Sequence, residues 1–378
     1  MDPKVKYHLF KNNKNFCAVP WNGFEIYPTG DIKTCAMGQT KLGNVHKKSL
    51  TEILHSQQVK EIKQNMLDNK PDSNCVLCHR RYTDADNFTY LRDHYNKLLV
   101  KQDVNYLDID EFKLNTIDLH WSNICNLRCV MCNPEQSSLI AKDENFQMNV
   151  INDYTIKNIT QMILNNQYNI QELYLSGGEP FYIPHNVKLL KSIENKDIHM
   201  RINSNMQWIK NNPFLKVLLD FRNVQLTMSA DAIGEKFEYI RNGSKWNLFQ
   251  DNVEYIRNET DFDLRVNTIF SIINAGSICD LIEHFYFEQD IKDITINLLY
   301  DPKPLDARNY PAHLKQEVAD RLTALKNKIG TQNRNLSSNL ANCIMQINLP
   351  KELEYESSMD TLTQRHNKDW REIFPDLV

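Results

Sequence analysis

The chain has 378 residues, a formal net charge of −4, and 41% hydrophobic against 24% charged residues, the proportions of an ordinary soluble globular protein. So small a net charge supplies no global field for attracting nucleic acid or an acidic membrane. No apolar run follows the basic residues of "MDPKVKYHLFKNNKN", and no segment approaches the roughly 18 apolar residues of a membrane span, so a cytoplasmic protein without a signal peptide is expected.

In chain order, "GFEIYPTGDIKTC" alternates apolar and polar residues about a Pro-Thr-Gly-Asp turn, which predicts a β-hairpin. "SLTEILHSQQVKEIKQNML" follows, with Ser49 three residues before Glu52, a capping box that opens an amphipathic helix. A second helical stretch is predicted near 85–101. From about Asn115, short β-branched runs alternate with helical patterns, as in parallel strands joined by crossover helices. Six strands are predicted at 116–122, 172–176, 198–204, 224–230, 264–273 and 293–300. Helices are predicted near 152–166, 183–195, 213–220, 245–257 and 277–288. The expected fold class is α/β: a partial (β/α)6 barrel with chemistry at its C-terminal strand ends, preceded by a small α+β module of hairpin and helix. Three regions follow: a module with linker helix over 1–102, a barrel over 103–301, and a C-terminal helical extension over 302–378. That extension has a helix near 311–328 and then an Asn-rich stretch without a clear pattern.

Cysteine is the informative residue. There are nine, an odd number, and in a chain this long clustered thiols point to metal binding rather than a disulfide framework. Cys125, Cys129 and Cys132 are spaced C-x3-C-x2-C directly after the first barrel strand. Thiolate is the preferred ligand of zinc and of iron–sulfur clusters, but structural zinc and ordinary clusters want four ligands. The next cysteine is Cys279, so a cluster here keeps one iron open for chemistry. A zinc knot completed by His120 is the blander alternative.

This motif resembles the signature of radical S-adenosylmethionine (radical SAM) enzymes. The resemblance implies that the open iron chelates the methionine moiety of S-adenosylmethionine. Reductive cleavage would then give a 5′-deoxyadenosyl radical that abstracts a substrate hydrogen. Further elements follow in the family's order. "LYLSGGEPF" ends in Gly177-Gly178-Glu179, similar to the GGE segment that holds the methionine amino group. Ser229 and Arg241 are spaced like the serine and arginine that bind the methionine carboxylate, a task that suits arginine's planar fork. Asp231 lies on the same rim, and Asn203 and Ser204, ending the third strand in "INSN", are candidates for ribose or substrate hydrogen bonds. The residue before the third cysteine is usually aromatic in the family and covers adenine; here it is Met131, apolar and polarizable enough to pack on a ring more loosely.

Cys17, Cys35, Cys75 and Cys78 make a second set: two ligands from a hairpin and two from a C-x2-C loop can close a tetrahedral four-thiolate site. Chemistry alone leaves zinc and iron–sulfur open. The stretch "CAVPWNGFEIYPTGDIKTC…CVLC" resembles the twitch or SPASM auxiliary-cluster module, which implies an auxiliary [4Fe–4S] cluster and hence two clusters in the chain. Here the module precedes the barrel rather than following it.

Cys279 and Cys343 are each either small buried hydrophobes or hydrogen-atom donors to a substrate radical, with Cys343 preferred for the second role. Lys303, Asp306 and Arg308, in the Pro-rich segment after the sixth strand, could orient a polar substrate or simply lie in a solvated loop. The expected activity is radical SAM modification of a peptide or protein by oxidation, crosslinking or epimerisation, with an electron donor such as flavodoxin or ferredoxin. A small polar metabolite or nucleotide substrate is the alternative, and a zinc-binding interaction protein the alternative of another class. No basic stripe interleaved with aromatics is present, so nucleic acid is not an expected partner.

Overall fold

The computed structural model describes residues 13, 15–76, 78, 91–100, 108–364 and 366–378, with the side chains of 99 and 100 left aside. Part of the predicted helix near 85–101 therefore lies outside the described residues. The rest of it forms the helix Leu91–Val100. The described residues divide into two compact units, one drawn from Met1–Ile124, Gln147–Ile202 and Pro213–Val224, the other from Cys125–Phe146, Asn203–Asn212 and Gln225–Val378.

The first unit carries β1 (Gly23–Ile26), β2 (Asp31–Lys33), β3 (Gly43–Asn44), β4 (Thr116–Leu119), β5 (Glu172–Leu175) and β6 (His199–Ser204) in the order β3-β2-β1-β4-β5-β6. β1 and β2 form the predicted hairpin. β1 also pairs in parallel with β4, in the register Gly23↔Thr116, Phe24↔Ile117, Glu25↔Asp118 and Ile26↔Leu119. The hairpin is thus a continuation of the barrel sheet, a juxtaposition that local sequence pattern does not reveal. Gly23 permits it, since a Cβ there would lie 2.5 Å from the Thr116 side chain. β1 and β4 are fully buried, and Phe24, Ile26, Ile117, Leu119, Leu173, Leu175, Met200 and Ile202 are core residues.

The capping box forms as predicted, with Ser49 accepting from the Glu52 backbone N–H and the Glu52 carboxylate accepting from that of Ser49. The predicted single helix breaks in two at His55–Ser56, giving Leu50–Leu54 and Gln57–Leu67. Ser56 takes the N-cap position of the second segment with extended backbone, its hydroxyl making no capping bond. Helices Asp153–Asn166 and Pro184–Ser192 follow β4 and β5 as predicted. Asn152 caps the first, and a proline in the first turn opens the second.

The second unit carries β7 (Asn223–Ser229), β8 (Asp263–Phe270) and β9 (Ile294–Leu298), paired in parallel in that order. The predicted helix near 277–288 is α-helical over Ile278–Glu283 and then π-helical over His284–Glu288. The Asn-rich C-terminal stretch proves to be a helix, Arg334–Ile347, capped by Asn333 and burying Leu336, Leu340, Cys343 and Ile347 at helical spacing. It packs on β9. Asn339 accepts from the Ile296 backbone N–H at 3.3 Å, and Gln346 donates to the Leu299 carbonyl and to Asp306, both at 3.0 Å. Asp306 also accepts from Arg308 at 3.0 Å, and Arg308 pairs with Glu352, so these two side chains brace the segment after β9.

Candidate functional site

In the second unit, the loop carrying the three-cysteine motif is pinned between its cysteines. Leu127 and Val130 are buried anchors, while Cys125, Cys129 and Cys132 stay half-buried. The loop runs against the segment after Ile240. Arg128 N–H donates to the Asn242 carbonyl at 2.9 Å and Val130 N–H to the Ile240 carbonyl at 2.8 Å. Ser137 Oγ donates to the Leu127 carbonyl at 2.8 Å, and Ser138 Oγ accepts from the Cys125 N–H at 3.2 Å. Backbone and serine bonds thus fix the loop, leaving the sulfurs as its functional atoms.

Arg241 arrives on that same segment. Its guanidinium Nη2 lies 2.9 Å from Asp231 Oδ2, both residues being buried. Burial alone would lower the Arg241 pKa, but the Asp231 carboxylate and the Cys129 and Cys132 sulfurs outweigh it and raise it. Arg241 Nε is buried without a hydrogen-bond partner. A buried guanidinium beside the cysteine loop with an unused donor fits an anionic ligand group. Asp231 is held in turn: its Oδ1 accepts from Ile269 N–H at 2.9 Å and its carbonyl accepts from Asn274 at 2.9 Å. That makes Asp231 the residue that positions Arg241. Ser229 ends β7 opposite Asn267, half-buried, and Met131 is half-buried beside Cys132 in sequence.

Asn203 is half-buried at the end of β6, and Ser204 is buried with its hydroxyl accepting from Met206 N–H at 3.0 Å and Trp208 Nε1 at 3.1 Å. Three neighbours escape sequence reasoning. Asn205 donates to Asn126 Oδ1 at 2.8 Å, Asn126 donates to the Gln207 carbonyl at 3.0 Å, and Gln207 accepts from Lys245 N–H at 2.7 Å. This relay braces the cysteine loop from the turn after β6. Its one sequence signal was the position of Asn126 directly after Cys125.

In the first unit, the Gly177–Gly178 turn adopts φ of 77° and 55°. A Cβ on Gly178 would lie 2.2 Å from the Ile124 carbonyl oxygen, so the close approach demands glycine. Glu179 N–H donates to that same carbonyl at 2.8 Å, one residue before Cys125 in the chain. The Glu179 carboxylate is buried and accepts from Phe181 N–H at 3.3 Å.

Cys17, Cys35, Cys75 and Cys78 line one small cavity of the first unit, with Tyr95 and Arg92 on its wall. Asn74, itself buried, ties its halves together by donating to Thr34 Oγ1 at 2.9 Å and accepting from Thr40 N–H at 3.0 Å. Asn96, on helix Leu91–Val100, accepts from Ala18 N–H at 2.8 Å and so ties that helix to the segment after Cys17. That helix is fastened to β5. Glu172, 1% exposed, accepts from His94 at 2.9 Å and from Arg201 at 2.9 Å, with His199 at 3.3 Å. Burial would raise the Glu172 pKa, but His199, His94 and Arg201 together lower it far below the carboxylate range.

Burial raises the cysteines themselves, Cys35 to about 11 and Cys75 to about 12, and burial with the neighbouring thiols raises Cys17 well above its ordinary value. Four thiolates in this pocket therefore need a positively charged core among them, which fits a metal group. Four thiolates at one pocket suit a tetrahedral zinc or an iron–sulfur cluster alike.

Comparison with known proteins agrees. The radical SAM superfamily pattern matches residues 119–273, and the SPASM iron–sulfur cluster-binding domain matches residues 17–80. This is a radical SAM chain with an N-terminal iron–sulfur module. No curated protein matches it. Among solved structures it is similar to anSMEcpe with bound AdoMet, at 18% identity over 57% of this chain and 61% of that one, TM-score 0.41. It is also similar to Streptococcus suis SuiB bound to S-adenosylmethionine, at 18% identity over 75% of this chain and 60% of that one, TM-score 0.42. The chain thus spans about three fifths of the length of these structures. Its cofactors as a radical SAM protein are iron–sulfur clusters and S-adenosylmethionine.

Cys279 and Cys343 lie in the second unit on helices Ile278–Glu283 and Arg334–Ile347, both buried. Burial pushes the Cys279 thiol up to about 11 and the Cys343 thiol higher, the latter also through Cys279. Their surroundings are those of core side chains. Among the described residues, no helix is long and apolar enough to cross a membrane.

Proposed function

We propose that this radical SAM chain modifies a peptide or protein by hydrogen abstraction, with oxidation, crosslinking or epimerisation as the outcome. The observation that carries the reading is the pairing of four cysteines that line one pocket with a separate loop of three cysteines. Four ligands saturate a cluster and suit it to electron transfer, whereas three leave an iron for S-adenosylmethionine. When bound, that group supplies a radical that takes a hydrogen atom from the substrate. The chain's own residues hold it: Glu179 for the ammonium, Arg241 and Ser229 for the carboxylate, Asp231 to fix Arg241, and Gly177 and Gly178 to admit backbone. Asn203 and Ser204 are assigned to its ribose or to the substrate, and Met131 to its adenine. A low-potential donor such as flavodoxin or ferredoxin supplies the electron. Substrates of this kind are named for two similar structures, SuiB bound to the precursor peptide SuiA and anSMEcpe with the Cp18Cys peptide.

The test begins with anaerobically prepared protein, for which about eight irons per chain are expected. Dithionite and S-adenosylmethionine are then added with deuterated cell extract separated into peptide and small-molecule fractions. Deuterium entering 5′-deoxyadenosine from the peptide fraction supports the reading. Transfer from the small-molecule fraction alone replaces the substrate class, and zinc without iron overturns the activity.

A further inference from the structure

One face of the first unit's sheet is polar where a sheet interior is ordinarily apolar. Register sets Glu25 beside Asp118, Asp118 beside Tyr174, and Tyr174 beside Arg201. The two-residue strand period puts Tyr27, His120 and Ser176 on the same face, one step nearer the C-terminal strand ends. Glu25 and Asp118 are 1% and 7% exposed. Among the described residues, neither carboxylate has a lysine or arginine at ion-pair distance; Arg201 is committed to Glu172.

The three functional groups converge. One oxygen of Glu25, one oxygen of Asp118 and one ring nitrogen of His120 all lie within 4.8 Å of one another. Each carboxylate is oriented from behind: Tyr27 donates its hydroxyl to Glu25 Oε2 at 2.9 Å, and Ser176 donates its hydroxyl to Asp118 Oδ1 at 3.1 Å. The His120 ring is fixed too, edge-on to Tyr27 at 5.5 Å and closely backed by Gly177, where an added Cβ would lie 3.2 Å from the ring. Its Nδ1 is buried with no hydrogen-bond partner.

Two buried carboxylates side by side are costly unless a proton or a cation joins them. Burial and the neighbouring Asp118 raise the Glu25 pKa, and burial raises that of Asp118, while burial lowers that of His120. A shared proton would settle the carboxylates but leave the neutral imidazole unused. A divalent cation uses all three donors and balances the two negative charges. We propose that Glu25, Asp118 and His120 form a mononuclear divalent-cation site, distinct from both cysteine sets, for a borderline transition ion such as Zn2+ or Mn2+. Two oxygens and an imidazole nitrogen suit that class of ion. Three protein ligands leave positions open for water or for a carbonyl or carboxylate oxygen of a substrate. Tyr27 and Ser176 are the positioning residues that orient the carboxylates. The site does not depend on which substrate the chain modifies.

The test uses full-length protein with its iron–sulfur clusters reconstituted, treated with a chelator mild enough to leave cluster absorbance unchanged. Mn2+ is titrated and free ion followed by its six-line paramagnetic resonance signal. One ion per chain is expected, with affinity at least about 100-fold weaker in Asp118→Asn and His120→Gln, and about 10- to 100-fold weaker in Tyr27→Phe. Cluster absorbance and thermal melting verify that each variant is folded. X-ray absorption at the zinc edge on zinc-loaded wild-type protein needs no variant, and only nitrogen and oxygen neighbours are expected. Sulfur neighbours, absence of stoichiometric Mn2+ binding by the wild type, or unchanged affinity in folded His120→Gln would each overturn the proposal.

Discussion

The two cysteine regions solve opposite problems with the same ligand. The upstream set is complete: four cysteines, drawn from a hairpin and a C-x2-C loop, line one cavity together with Asn74 and Tyr95, Cys17 buried and the other three half-buried. The downstream set is incomplete and half-buried, and its support comes from backbone hydrogen bonds and from the hydrophobic anchors Leu127 and Val130. The difference teaches that ligand count, rather than burial, sets the two cysteine sets apart: four ligands can saturate a cluster, whereas three leave a position that the loop must hold open by its own rigidity.

The comparison breaks hardest at the cysteines themselves. Cys129→Ala is expected to abolish S-adenosylmethionine cleavage and to remove about half of roughly eight irons. Cys75→Ala should lose a similar share of iron while the three-cysteine site keeps its own. Iron analysis with 5′-deoxyadenosine detection separates the two; equal loss of cleavage and of all iron in both variants would erase the distinction.

Next is Glu172, which fastens helix Leu91–Val100 beside the four-cysteine site to β5. Glu172→Ala leaves the half-buried Arg201 without its carboxylate and is expected to destabilise the fold by about 1–3 kcal/mol, read from denaturant unfolding. The same carboxylate sets an acid limit. Its folded pKa is lowered, so its contribution is fully present above the ordinary glutamate range and is lost as pH falls through the folded value. Wild-type stability should therefore fall on acidification below about pH 4, with a shallower slope in Glu172→Gln.

Gly178→Ala probes the glycine turn of the first unit. Its Cβ would meet the Ile124 carbonyl at 2.2 Å in a left-handed backbone, so a loss of about 1–3 kcal/mol is expected. A raised KM for S-adenosylmethionine should accompany it, since the turn precedes Glu179. The smallest effect is at Arg128, whose pair with Asp143 at 2.5 Å is about one-third exposed on each side. Arg128→Ala should cost below about 1 kcal/mol and leave iron content unchanged, because backbone groups rather than this ion pair hold the loop.

Much of the fold was legible because barrel strands and crossover helices are written in local periodicity. All six barrel strands lie within three residues of their predicted ends, β4 and β8 each closing three residues early. Where prediction fell short, local backbone geometry overrode pattern or tertiary pairing overrode both. The backbone turns extended at Ser56 and breaks a helix that the apolar spacing carries straight through. The Asn-rich stretch is helical because Leu336, Leu340, Cys343 and Ile347 bury one face, outweighing asparagine's poor propensity.

By itself, the sequence determined the metal-binding character of the chain. Cysteine spacing is short-range, and thiolate chemistry at such spacing allows few partners. It determined the glycine turn for the same reason, since Gly177 and Gly178 adopt backbone angles that other residues rarely do. Only tertiary structure decided that β1 pairs with β4, that Asp231 holds Arg241, and that Asn126, Asn205 and Gln207 brace the cysteine loop. It likewise brought Glu25, Asp118 and His120 together. Those residues come from separate strands, and parallel register, which local pattern does not encode, sets which side chains become neighbours.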